Sequence, residues 1–176
     1  DLGILMVLII ILVFIVMAAQ FESLVDPFVI MFSIPFAFTG IVLGLAVTQT
    51  PLGVMALIGV IMLMGIVVKN GIVLIDYTIL CRERGMGIIT SVVTAGKSRL
   101  RPVLMTTLTT VLGMIPMAVG TGEGSEMWRS MGMTVAWGLS VSTLITLIIV
   151  PTVYAVFAAN GVKRRRRKIR KALRNN

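Results

Sequence analysis

Residues 54–80 read VMALIGVIMLMGIVVKNGIVLIDYTIL. Fifteen uncharged residues precede Lys69, and five apolar residues separate Asn70 from Asp76. A helix needs about 20 mainly apolar residues to cross the ~30 Å hydrocarbon core of a bilayer. The stretch is far longer than the roughly 10 residues of a barrel strand, and it does not alternate. It predicts a membrane-spanning α-helix with a lysine inside the membrane.

Four further apolar runs have spanning length: residues 2–19, 27–47, 102–119 and 131–159. Pro35, Pro116 and Pro151 fall inside them, which membrane helices tolerate because neighbouring groups satisfy the freed carbonyls. The fold class expected is therefore an all-α membrane protein with five transmembrane helices. Composition agrees. The chain has 176 residues, 57% hydrophobic and 13% charged, with a mean hydropathy of +1.04; a soluble domain carries about a quarter charged residues. An ordinary soluble globule, a disordered chain and a disulfide scaffold are excluded. Cys81, the single cysteine, has no internal partner, and the absence of histidine removes the commonest metal ligand.

The connectors set the expected orientation. Residues 82–101 hold Arg82, Arg84, Lys97, Arg99 and Arg101 against Glu83. Nine of the 16 positive residues lie in the tail 160–176: Lys163, Arg164, Arg165, Arg166, Arg167, Lys168, Arg170, Lys171 and Arg174. Both segments belong in the cytoplasm by the positive-inside rule, and two spans separate them. The loop 120–130 and Asp1 then face outside. The tail reads as a contact for anionic membrane lipids rather than for nucleic acid. An outside N-terminus is expected if an extracytoplasmic domain precedes Asp1.

Smaller signals concern packing. Gly40 and Gly44 form a GxxxG, which admits a close helix or arises by chance in a chain with 17 Gly. Ile88, Ile89, Val92 and Val93 fall at helical spacing, which predicts a short amphipathic helix on the cytoplasmic surface. The methionines read as gap-fillers.

Lys69 is the residue around which function is expected. An ionisable residue inside a span is costly and marks a functional site. A lysine near a helix end can snorkel, but Asp76 and Arg82 already mark the polar end of this helix. Lys69 and Asp76 are seven apart, as are Arg99 and Thr106 in the next span. In antiparallel helices this predicts Asp76 paired with Arg99, and a buried Lys69 level with the Thr106 hydroxyl. Asn70, Thr107, Thr109 and Thr110 add polar groups, unless the threonines bond their own backbone, as expected for two of the four. Asp76 lies at the wrong depth to neutralise Lys69, so its carboxylate partner is expected from outside these residues. A lysine facing carboxylates in a membrane core suits proton-coupled transport.

The stretches IVVKNGIVLIDY (66–77), GKSRLRPVLMTTLTTVLGMIPMAVGTGEGSE (96–126) and AAQFESLVDPFVIM (18–31) resemble the resistance-nodulation-division (RND) superfamily, most closely its hydrophobe/amphiphile efflux branch, the AcrB-type transporters. The resemblance reaches to Phe157 and implies the last five of twelve membrane helices, the C-terminal transmembrane half of a proton-driven pump. It implies a secondary transporter, not an enzyme, needing no cofactor beyond the proton motive force. In the family the proton relay uses two adjacent aspartates in the fourth helix, a lysine in the tenth, and an arginine and a threonine in the eleventh. By motif these last three fall at Lys69, Arg99 and Thr106; Asn70 follows the lysine as in the family, and Asp76 replaces a family carboxylate. The aspartate pair and the drug-binding porter domains are not in these residues. The resemblance further implies a homotrimer in the bacterial inner membrane, joined to a periplasmic adaptor and an outer-membrane channel, and exporting drugs or other amphiphiles. Rival readings are an RND heavy-metal exporter, weakly opposed by the lack of His, a SecDF-like protein-export accessory, and an autonomous five-helix scaffold.

Overall fold

A computed structural model of the chain describes residues 1–174; the Arg174 side chain and residues 175–176, the end of the basic tail, lie outside the described residues. Six helices follow one another: α1 Leu2–Phe21, α2 Val25–Met31, α3 Ile34–Thr48, α4 Val54–Glu83, α5 Ile88–Val119 and α6 Ser125–Arg174. With α2 and α3 taken together as Val25–Thr48, five segments are long and apolar enough to cross a membrane. The five-span all-α architecture read from the sequence is the architecture observed.

Two expectations are corrected. The second span is broken, not continuous: Phe32 and Ser33 form a turn, and Pro35 opens α3. Proline suits the first turn of a helix because its missing N–H is an orphan there anyway. The amphipathic segment at Ile88 is helical but not separate; it runs unbroken into the fourth span as α5. Gly96 alone does not end a helix, and Pro102 releases only the carbonyl four residues earlier. The basic tail continues α6 as helix to Arg174.

Helix association in lipid gains nothing from hiding apolar side chains from lipid tails, so close approach and interhelical bonds decide it. The GxxxG of α3 is one such approach. A Cβ at Gly40 would lie 2.8 Å from the Val141 Cβ, and one at Gly44 would meet the Trp137 side chain. Gly138 of α6 returns the arrangement, with Leu63 and Ile41 against it. α6 thus sits against α3, α4 and α5 at once. The buried face of α4 repeats at helical spacing through Gly59, Leu63, Val67, Gly71, Leu74, Thr78 and Cys81. Its opposite face carries the exposed residues Ile58, Met62, Gly65, Lys69, Asp76 and Leu80. α1 packs lightly: Met17 is buried, while Ile4, Leu8, Ile11, Leu12 and Ile15 are exposed.

Candidate functional site

Lys69 and Asp76 project from the open stripe of α4, and Thr106, Thr109 and Gly113 from the open face of α5. Lys69 lines a groove of about 320 Å³ between α1 and α4, with Leu12, Val16, Met17, Val68 and Ile72. The sequence led to a buried Lys69; within this chain the lysine is exposed. Its stripe is the face of α4 turned away from α6, and the lightly packed α1 approaches it at this groove.

Arg99 does not take up the expected pairing. Its guanidinium lies over the Tyr77 ring, 4.8 Å from the centroid, and its buried Nε has no hydrogen-bond partner. Asp76 is on the open stripe and Tyr77 on its flank, one helical step of about 100° away. The ring therefore meets the arginine while the carboxylate stays exposed.

The Arg99–Tyr77 contact sets the register of the two antiparallel helices. Seven residues back from Tyr77 is Asn70, and seven on from Arg99 is Thr106, each about 10 Å along its helix. Asn70 and Thr106 therefore share a level, with Lys69 beside Asn70. α6 supplies a third wall at this depth. Thr107 and Thr143 hydroxyls share a buried 3.0 Å hydrogen bond between α5 and α6.

Of the four threonines, three bond their own helix and not two. Thr106 donates to the Pro102 carbonyl at 3.0 Å, Thr109 to Met105 at 2.8 Å and Thr110 to Thr106 at 2.8 Å. Each hydroxyl keeps acceptor capacity toward the open face. Ser142 and Thr146 were missed in the sequence. Both are buried, and their hydroxyls have no partner among the described residues. Their signal is the run STLIT at 142–146, three hydroxyls in five residues of a mostly apolar span. A buried polar group without a partner costs on the order of 1–3 kcal/mol, which a water or a facing polar group would offset.

A five-span helical membrane unit with a lysine, an asparagine and a layer of hydroxyls at one depth places the chain among polytopic membrane proteins with an intramembrane ionisable site. Comparison with known proteins is specific: a profile described as the AcrB/AcrD/AcrF family matches residues 1–158. The chain belongs to that family, and so to the RND superfamily. It is 42% identical over 159 residues to the swarming motility protein SwrC of Bacillus subtilis, covering 90% of this chain and 15% of that protein. The multidrug resistance protein MdtC of Erwinia tasmaniensis is 38% identical over 143 residues, 81% of this chain and 14% of that one. The cobalt-zinc-cadmium resistance protein CzcA of Cupriavidus metallidurans is 37% identical over 143 residues, again 81% and 14%. Among solved structures, the crystal structure of a heavy metal efflux pump superposes with a TM-score of 0.80 at 29% identity, covering 89% of this chain and 15% of that one. The chain thus spans about a seventh of the length of the relatives it matches.

Proposed function

We propose that this chain is the C-terminal membrane segment of a proton-driven RND efflux transporter, in which Lys69, Asn70, Asp76, Arg99 and Thr106 supply part of the proton relay. The observation that carries the reading is the placement of Lys69. It stands mid-span on the face of α4 that the rest of the chain leaves open, level with the Asn70 amide and the α5 hydroxyls. A charge held there needs a carboxylate from a facing helix, because an unpaired ion in hydrocarbon is costly. Protonating that carboxylate would release the lysine and let the helices shift. An autonomous scaffold has no use for such a group. The orientation follows the positive-inside count: N-terminus and loop 120–124 periplasmic, α4–α5 connector and tail cytoplasmic, in a bacterial inner membrane. The domain division into a membrane unit 1–159 and a basic tail 160–176 belongs to the same reading. So do the homotrimer, the periplasmic adaptor and the outer-membrane channel.

For cargo, heavy-metal cations are the first reading. CzcA and the heavy metal pump structure support it, and the lack of histidine loses its weight in a segment this short compared with the relatives. Amphiphilic drugs are the second reading, supported by MdtC. The complete transporter, expressed in a pump-deficient strain, should raise tolerance to cobalt, zinc or cadmium salts. Tolerance to dyes and detergents without tolerance to metals would select the second reading. No gain of either kind would reject both.

A further inference from the structure

The last helix runs well past the membrane. Near the end of α4, Arg82 donates a 3.0 Å hydrogen bond to the Tyr154 hydroxyl of α6. α6 continues for twenty further residues to Arg174, about 30 Å at the helical rise. Every described side chain from Lys163 to Leu173 is exposed. Lys163 to Lys171 holds eight cations and no acid. Pairs such as Arg164–Lys168, Arg166–Arg170 and Arg167–Lys171 set like charges four apart, which destabilises a helix. An isolated helix of the length of residues 162–173 is marginal in water on its own. A polyanion along it would remove the repulsion.

The sequence also says which kind. Val162, Ile169 and Leu173 recur at i, i+7 and i+11, so they form one narrow apolar stripe, flanked by Arg165 and Arg166. Recognition of a polyanion by charge alone gives such a stripe nothing to do; a lipid surface buries it. At the exit from the membrane, Asn160 and Gly161 are both poor helix formers, and Gly161 has open space around its α-carbon. We propose that residues 162–173 form an interfacial helix that turns at Asn160–Gly161 and lies on the anionic lipid leaflet. Ile169 and Leu173 enter the headgroup boundary, and the flanking arginines meet lipid phosphates. The proposal rests on the cytoplasmic orientation of the tail given above.

The test uses the complete transporter carrying Ala172→Cys and Cys81→Ala, labelled with a fluorophore and reconstituted in vesicles. Neutral acrylamide should quench the label about threefold less in 30% phosphatidylglycerol than in pure phosphatidylcholine. At about 1 M salt, where screening shortens to about 3 Å, the protection should disappear. Ile169→Asn with Leu173→Asn keeps every charge and should also lose it. Equal quenching in both lipid mixtures overturns the proposal, as does protection by duplex DNA but not by anionic lipid. Labelling of Ala172→Cys by an impermeant thiol reagent in intact spheroplasts would instead overturn the orientation.

Discussion

The Arg99 guanidinium of α5 lies over the Tyr77 ring of α4, 4.8 Å from the centroid, in a register that puts Asn70 and Thr106 at one depth. The carboxylate next to the ring, Asp76, takes no part in it. The first prediction follows. Tyr77→Leu should lower thermal stability in detergent by about 1 kcal/mol, within the range for a partly desolvated cation–π contact. Tyr77→Phe keeps the ring and should be near neutral. Asp76→Asn should also be near neutral for stability. A larger loss from Asp76→Asn than from Tyr77→Leu would restore the ion pair that the spacing suggested.

The close approach of α3 to α6 gives a second. Gly44→Leu places a side chain where Trp137 already stands, and overpacking of this kind costs about 1–3 kcal/mol. Folded yield and melting temperature in detergent should both fall. Gly65→Ala, with nothing near its α-carbon, should melt as the wild type does.

Much of this fold is legible in the sequence, because length and apolarity alone specify a spanning helix. The five spans, the intramembrane Lys69 and the GxxxG at Gly40 and Gly44 all follow from residues in a row. What is not legible depends on angle and on neighbours. Asp76 and Arg99 sit at matching heights, yet one helical step of rotation gives the arginine to Tyr77. The α5 threonines look alike in sequence; only the position of α6 singles out Thr107. Ser142 and Thr146 pass as ordinary span residues until burial leaves their hydroxyls without partners. That Lys69 faces away from the rest of this chain is not legible either, because depth along a helix does not say which way a side chain faces.

A third prediction separates the threonines. Thr107→Val breaks the buried bond to Thr143 and leaves that hydroxyl unpaired, at a cost of about 1–2 kcal/mol. With Thr143→Val added, the double variant should be less destabilised than the sum of the two singles. Thr106→Val removes a bond that Thr106 makes to its own helix on the exposed face. It should barely change stability while lowering transport, if the relay role proposed for Thr106 holds. Strict additivity of Thr107 and Thr143 would show that the two are not coupled.

The cytoplasmic end offers a fourth. Tyr154→Phe removes the acceptor for Arg82 and should cost about 1.5–3 kcal/mol, the usual range for a hydrogen bond to a charged group. Proteolysis of the α4–α5 connector in inverted vesicles should speed up accordingly. An unchanged cleavage rate would mean that Arg82 is held by other contacts.

Transport by the complete protein decides whether Lys69 is part of a proton relay or a snorkelling anchor. In the complete transporter, reconstituted with an imposed pH gradient, Lys69→Ala should abolish proton-coupled export with the protein still folded in the membrane. Without the cation, the carboxylates proposed to face Lys69 would repel one another and hold their proton, so the cycle would stop. Lys69→Arg should also fail, because a planar guanidinium is larger and differently hydrated than the ammonium it replaces. Export by Lys69→Ala at the wild-type rate, at matched protein levels, would contradict the account.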